Sequence, residues 1–350
     1  KNHKTTKPQK LQKPQKPQKL NPPMYILKEA NPEKIVEKDY EAIIDFRKRF
    51  FYQNYANHPE PDFREWKNKI IRFYEQKKPK GFYSIYKNEK IIANLFHYNT
   101  DAFSANKVII RIDYDKEAES TALAAIISEQ INKYKANAPN ALIESKEDFI
   151  NKIVEKCGFY KGNTKEFAAL NLSKRLTIPI KNWKKKGWKQ EIIEAPKKAE
   201  CVEIANIMTF LMNDMQGKTD QIVFKTTSKE IEKNFERLNE MNKKILYFFL
   251  RNENAKLIAY SFLSFDKSMP TIANQYMTGV LPEYRRQGLA KYVKSTFYDY
   301  LQKKHSQIKV ILTDYYIGNQ RIKNLNKAVG FQPEFIQQEW FFGEKANAMV

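Results

Sequence analysis

The chain has 350 residues, a formal net charge of +22, 42% hydrophobic and 13% aromatic residues. That is enough apolar material for a sizeable core and enough length for two domains of ordinary size. No apolar run approaches the roughly 18 residues of a membrane span, which excludes a transmembrane helix. Two cysteines, Cys157 and Cys201, and the scattered histidines His3, His58, His97 and His305 match no metal-ligand spacing. No metal site is expected, and so few thiols suggest a reducing, cytoplasmic compartment. Lysine is the common polar residue throughout and is mixed with glutamate along the helical stretches. That is the pattern of solvated faces, so nucleic acid is not expected as a partner and an anionic ligand or surface is a secondary use of the charge.

Residues 1–23 repeat Lys-Pro-Gln, with seven lysines and no acid. Nothing there can bury a core or act as the apolar centre of a signal peptide, so an extended, disordered tail is expected. Residues 24–175 carry helical periodicity over 38–55 and 62–76 and a hairpin from Gly81 to Tyr98 with its turn at Lys87-Asn-Glu-Lys90. A strand at 108–112, a long helix near 117–134, a strand at 141–143, a helix over 146–156 ending at Gly158-Phe159 and a last strand at 167–172 follow. Residues 176–200, with Lys184-Lys-Lys-Gly-Trp188 between Pro179 and Pro196, are expected to be a basic linker whose Trp183 and Trp188 cover an edge.

Residues 201–350 repeat the first order of elements. Helices are expected near 200–215 and 228–243, a hairpin over 245–263, a strand to Val280, a long helix over 286–303 and a strand at 308–313. A short helix then ends at Gly330-Phe331, and a strand closes the chain at 335–342. The two Gly-Phe pairs lie 172 positions apart (330 less 158) and the strand ends near Ile112 and Val280 lie 168 apart (280 less 112). Agreement that close implies two copies of one fold.

The stretch with the most chemistry in it is Thr278-Gly-Val-Leu-Pro-Glu-Tyr-Arg-Arg-Gln-Gly-Leu-Ala290. It reads as a strand end, a turn closed to further pairing by Pro282, and a helix start carrying Leu289, Tyr292, Val293, Phe297 and Leu301 at helical spacing. Helix-start N–H groups, a glycine for close approach and two arginines make an anion site, and the natural anion is a pyrophosphate. On spacing alone, an ordinary strand-to-helix turn with surface arginines fits equally well.

With Ile311-Leu-Thr-Asp-Tyr-Tyr-Ile-Gly-Asn-Gln-Arg-Ile-Lys-Asn-Leu-Asn-Lys-Ala-Val-Gly-Phe331 downstream, the second half resembles the GNAT superfamily of acyl-CoA-dependent N-acetyltransferases. The first half shares the order of elements only, and the tandem layout is similar to that of mycothiol synthase-like members. The resemblance implies an α/β (α+β) fold class of two tandem GNAT-like domains, each a mixed central sheet flanked by helices. It implies acetyl-CoA as co-substrate, with the backbone of Thr278, Gly279 and Val280 pairing with the pantetheine arm. The amides of Arg285, Arg286, Gln287, Gly288, Leu289 and Ala290 would hold the pyrophosphate, and Asn319, with Asn324 as a further candidate, would meet the cofactor. Gln275 and Tyr276 would orient the amine. Many relatives carry a tyrosine acid where this chain has Asn326. Tyr315 and Tyr316 are the nearest phenols in sequence, and Tyr315 is the candidate proton donor. Packing or a hydrogen bond at the strand end is the plainer use of either, and the amine can also lose its proton to solvent.

The first half departs from the pattern at Ile112-Asp-Tyr-Asp-Lys-Glu-Ala-Glu-Ser-Thr-Ala-Leu123, where Asp113, Asp115, Glu117 and Glu119 stand in place of an anion site. Cofactor binding is therefore expected in the second half alone. The implied function is transfer of an acetyl group to a primary amine of a small molecule or peptide. The alternative is a non-catalytic acyl-CoA sensor or scaffold whose basic tail binds an anionic partner.

Overall fold

A computed structural model describes residues 24–29, 37–77, 81–99, 108–136, 138, 140–174, 187–215 and 224–343. The tail over 1–23 and Trp183 lie outside the described residues. The first repeat runs β1 (Tyr25–Glu29), α1 (Glu37–Tyr55), α2 (Trp66–Lys77), β2 (Gly81–Lys87), β3 (Lys90–Asn99), β4 (Val108–Tyr114), α3 (Thr121–Ala136), β5 (Ala141–Ser145), α4 (Asp148–Lys156) and β6 (Tyr160–Asn171). The second runs β7 (Lys189–Ile193), α5 (Lys198–Asn213), α6 (Ser228–Glu240), β8 (Lys243–Arg251), β9 (Leu257–Asp266), β10 (Ile272–Val280), α7 (Leu289–Lys304), β11 (Val310–Tyr316), α8 (Gln320–Ala328) and β12 (Gln332–Phe342).

Local chemistry accounts for several boundaries. Asn88 and Glu89 both have positive φ, 49° and 64°, which is what a two-residue hairpin turn between β2 and β3 requires. Gly158 and Gly330, at φ 82° and 100°, end α4 and α8 in the left-handed conformation. Thr227 and Glu230 form a reciprocal capping box at the start of α6. Helix α7 begins at Leu289 rather than near 286, because Arg286 and Gly288 both have positive φ and cannot continue a right-handed helix.

The strands form one twelve-stranded sheet in the order β1-β2-β3-β4-β5-β12-β6-β11-β10-β9-β8-β7. Each repeat does not close its own sheet. The last strand of the second repeat, β12, lies between β5 and β6 of the first, antiparallel to both. The last strand of the first repeat, β6, pairs in turn with β11 over the full length from Val310↔Asn171 to Tyr316↔Lys165. The two final strands have changed places.

The packing follows the exchange. Trp340, on β12, is 2% exposed and belongs to the core of the first repeat with Ile143, Ile150 and Val154. Its indole Nε1 donates to Asn151 Oδ1 at 2.8 Å, which satisfies the polar end of a buried ring. Phe342 on the same strand packs on Phe159. Reciprocally, Ala168 and Leu170 of β6 belong to the core of the second repeat with Val293, Phe297 and Ile311.

Several strands differ from expectation, most by two or three residues at an end. Strand β6 starts at Tyr160, seven residues before its first expected position at 167; its polar first half becomes a strand because β12 pairs with it at Tyr160, Lys161 and Thr164. Strands β1 and β7 were not expected. Both are short edge strands, and β7 lies in the stretch expected as linker, where it pairs with β8 from Lys189↔Arg251 to Ile193↔Tyr247. Their residues are largely exposed or half-buried, so the apolar alternation that announces a strand is weak in them.

Two repeats tied by an exchanged pair of strands should unfold together. A single denaturant transition is expected, and Trp340→Ala should lower the stability of the whole chain by about 3–5 kcal/mol. Two separated transitions, with only one shifted by the substitution, would contradict the coupling.

Candidate functional site

Strands β10 and β11 are parallel, and they pair only through Ile272↔Val310, Ala273↔Ile311 and Asn274↔Leu312. Beyond that point they part. On its other side β10 stays paired to β9 through Thr278↔Ser261, Gly279↔Tyr260 and Val280↔Ala259, after a bulge between Gln275 and Thr278. A bulge adds a residue to one strand and turns it away from its neighbour. The side chain of Gln275, 2% exposed, fixes this one. Its Nε2 donates to Ser261 Oγ at 3.0 Å and to the Phe262 carbonyl at 2.6 Å, and its Oε1 accepts from the Tyr298 hydroxyl at 3.3 Å.

The parting of the strands opens a cleft of about 1160 Å³. Tyr276 to Val280 form one wall and Thr313 to Tyr316 the facing one, and Met208, Leu211, Met212 and Met215 supply an apolar side. The cleft continues to the start of α7, where Arg285, Arg286, Gly288, Leu289 and Ala290 line it. One depression therefore joins a free strand edge to a helix N-terminus.

The turn before α7 is built for exposed amides. Arg286 and Gly288 take the left-handed conformation at φ 59° and 83°, and the first N–H groups of α7 have no carbonyl behind them in the helix. A Cβ on Gly288 would meet nothing within 4 Å. The space over this glycine is open, and its need for glycine is conformational. Arg285 is a strut. Its Nε donates to the Val280 carbonyl at 3.0 Å, and its Nη1 pairs with Asp214 Oδ2 at 2.8 Å. Gly279 is different again, since a Cβ there would stand 1.9 Å from Leu211 Cδ1. Helix α5 packs directly on the backbone of β10 at that point.

The remaining expected residues divide. Asn319 lines the cleft and also caps α8, its Oδ1 accepting from the Ile322 amide at 3.2 Å. Asn324 accepts from Gln320 on the exposed face of α8 and is not among the residues lining the cleft. Tyr276 lines the cleft, stacked on Phe262 with ring centroids 5.1 Å apart. Tyr315, expected as the candidate proton donor, is buried and donates its hydroxyl to Glu166 Oε1 at 2.5 Å. Burial and that carboxylate hold the phenol above its ordinary value, so its proton is held by a partner across the sheet. Glu166, on β6 of the first repeat, also accepts from Lys323 Nζ at 2.7 Å. Burial pushes its carboxyl up, but the bonds from Lys323 and Tyr315 outweigh this and leave it below the usual range.

Two cleft-side residues were not foreseen from the sequence. Glu166 sits beside Tyr315 only because β6 has crossed to the second repeat. Lys294 lines the cleft although it is 2% exposed. Its signal lay in spacing, since Ala290, Lys294, Phe297 and Leu301 recur at i, i+4, i+7 and i+11 along one face of α7.

In the first repeat the equivalent strands β4 and β5 also part, after Ile110↔Ile143. The positions beyond are filled by carboxylates with internal partners. Asp113 accepts from Arg47 of α1 and, at 3.2 Å, from Arg111 Nε. Asp115 accepts from Gln53 Nε2 at 2.8 Å and from the Glu117 amide at 3.2 Å, with Arg49 Nε at 3.4 Å. Desolvation raises the Asp113 carboxyl, and the flanking guanidinium groups outweigh it and keep the group ionised.

No protein-family model matches the sequence, and no curated protein matches it. Solved structures do. The chain is similar to a tandem GNAT protein from the clavulanic acid biosynthesis pathway, at 11% identity and a TM-score of 0.67, over 91% of this chain and 98% of that one. It is similar to a GCN5-related N-acetyltransferase from Sphaerobacter thermophilus, at 11% identity and a TM-score of 0.61, over 91% and 95% of the two chains. A putative acetyltransferase from Pyrococcus horikoshii matches at 10% identity and a TM-score of 0.53, over 93% and 92%. The fold is that of the tandem GCN5-related N-acetyltransferases.

The two glycines of the cleft should respond differently to alanine. Gly279→Ala must displace Leu211 and is expected to cost about 1–3 kcal/mol through overpacking. Gly288→Ala has open space and should lose only the backbone preference, about 1–2 kcal/mol. Denaturation midpoints of the two variants check this, and a Gly279→Ala protein as stable as the wild type would contradict the close approach of α5.

Proposed function

We propose that the chain is an acyl-CoA-dependent N-acyltransferase that moves an acetyl group to a primary amine, with one cofactor site, in the second repeat. The observation that carries this reading is the single cleft in which the free edge of β10 leads into the open amides before α7. The edge at Thr278, Gly279 and Val280 accepts a pantetheine arm as an added strand. The amides from Arg285 to Ala290 receive the pyrophosphate, with the dipole of α7 behind them. The apolar wall from α5 covers the arm.

The bulge supplies backbone N–H groups at the point where the strands divide, and these polarise a thioester carbonyl lodged there. Asp314, on the facing wall, is the carboxylate that draws in a cationic amine. Tyr315 acts in this scheme as a brace, tying β11 to Glu166 of the first repeat. The first repeat builds the cleft wall and holds no cofactor, because arginines of its own already occupy its carboxylates. The acceptor is a small-molecule or peptide amine.

Acetyl-CoA at a hundred times its Kd should stabilise the wild-type chain by about 2.7 kcal/mol, and Gly288→Glu should abolish the gain by placing a carboxylate over the cradle. Absence of any thermal shift in the wild type would sink the proposal. Thiol release over a panel of amines then separates an acyltransferase from an acyl-CoA sensor, because a sensor binds the thioester and releases no thiol.

A further inference from the structure

Helix α7 carries Lys291 exposed and, one turn on, Lys294 buried. At 2% exposure Lys294 is among the largest fully buried side chains of the protein. A lysine near a surface ordinarily carries its amine out to water. This one instead donates from Nζ to Asn326 Oδ1 at 2.6 Å and lies over the Phe331 ring, 5.0 Å from its centroid. No carboxylate among the described residues pairs with it. An ammonium taken from water without a counter-ion costs several kcal/mol, and an apolar side chain of this size would pack the same space more stably. The side chain that carries this cost also lines the cleft, with Thr313 and Leu325.

Among the described residues no charged group bonds its amine. Helix α7 packs on α8, on β8, β9 and β10, and on the turn Leu172–Lys174, whose Lys174 is exposed. The titratable groups that share the cleft with it from α7, β11 and α8 are Lys291, Asp314, Tyr315, Tyr316 and Arg321; Tyr298 is buried on α7 itself, and Lys323 and Lys327 lie on α8. Tyr298 donates to Gln275, and Tyr315 and Lys323 both bond Glu166. Strands β8 and β9 turn Leu246, Phe248, Ile258 and Leu263 toward this core. Burial alone brings the Lys294 amine down to about 7.

We infer that the Lys294 ammonium is the proton donor to the coenzyme A sulfur in the acyl transfer proposed above. The inference rests on that reading. As the acceptor nitrogen bonds to the thioester carbonyl carbon, the C–S bond breaks and its electron pair remains on sulfur. The ammonium passes one proton to that sulfur and becomes a neutral amine. It regains a proton from solvent, which has received the one shed by the acceptor nitrogen, so no further reactant is needed. A thiol ordinarily titrates near 8.5, so a donor near 7 gives up its proton downhill while remaining about half charged at neutral pH.

The test needs no acceptor. Free coenzyme A is bound to the wild type, to Lys294→Met and to Lys294→Arg, and the ultraviolet absorption of its thiolate is titrated with pH. Lys294→Arg keeps its cation throughout the titration, so the bound thiol should ionise about one pH unit or more below its value on Lys294→Met if residue 294 reaches the sulfur; on the wild type, whose amine gives up its proton first, the thiol should ionise near the Lys294→Met value. Lys294→Met should also have a Tm at or above that of the wild type, since it removes an unpaired buried charge; a merely structural lysine would lower it. Should the methionine variant fail to fold, Lys294→Gln is read in the same way. Identical thiol titrations on Lys294→Arg and Lys294→Met, with coenzyme A bound to both, would overturn the inference and leave the proposed function standing. Failure of coenzyme A to bind the wild type would overturn both. With an accepted amine in hand, Lys294→Met should lower kcat by about 10²–10⁴-fold.

Discussion

Past Asn274 and Leu312 the two central strands of the second repeat separate, and the edge of β10 from Met277 to Val280 has a strand on one side only. Backbone N–H and C=O groups left without partners are costly unless water or a ligand meets them. Two constraints hold the strands apart. The bulge at Gln275, with its amide locked between Ser261, Phe262 and Tyr298, turns β10 away. Strand β11 cannot follow, because it is paired along its whole length to β6. The cleft of the second repeat thus depends on a strand of the first.

That dependence gives the first repeat a structural part in the cleft of the second. It retains the fold, including the parting of β4 and β5, but the end of β4 and the turn after it carry Asp113 and Asp115, paired with Arg47 and Arg49 of α1. Its contribution to the site is made through β6. Glu166 reaches across the sheet to Tyr315 and Lys323, on β11 and α8 of the other repeat. In return β12 brings Trp340 into the core of the first repeat. Neither repeat has a complete core without the other.

Much of this was legible in the sequence, and the reasons for the rest are physical. The amphipathic helices and buried strands announce themselves by period, as Leu289, Val293, Phe297 and Leu301 do on α7. The turn before α7 is a local motif, and its Arg286 and Gly288 geometry follows from neighbours in the chain. The exchange of β6 and β12 left no such trace, because a strand's pattern records which face is buried and not which strand lies beside it. Glu166 was invisible for the same reason. Strands β1 and β7 carry little apolar pattern because they lie at sheet edges. Lys294 was passed over as one more lysine in a lysine-rich chain, and only its place on the buried face of α7 distinguishes it. For Tyr315 a hydrogen bond at the strand end was foreseeable from the sequence, and its partner Glu166, on a strand of the other repeat, was not.

The central claim is that two copies of one fold share a sheet while only one holds a cofactor. Calorimetric titration of the full chain with coenzyme A measures this directly. One molecule bound per chain, lost on Gly288→Glu and retained on Asp115→Asn, is the predicted result. Two molecules per chain, or one that survives Gly288→Glu, would contradict it.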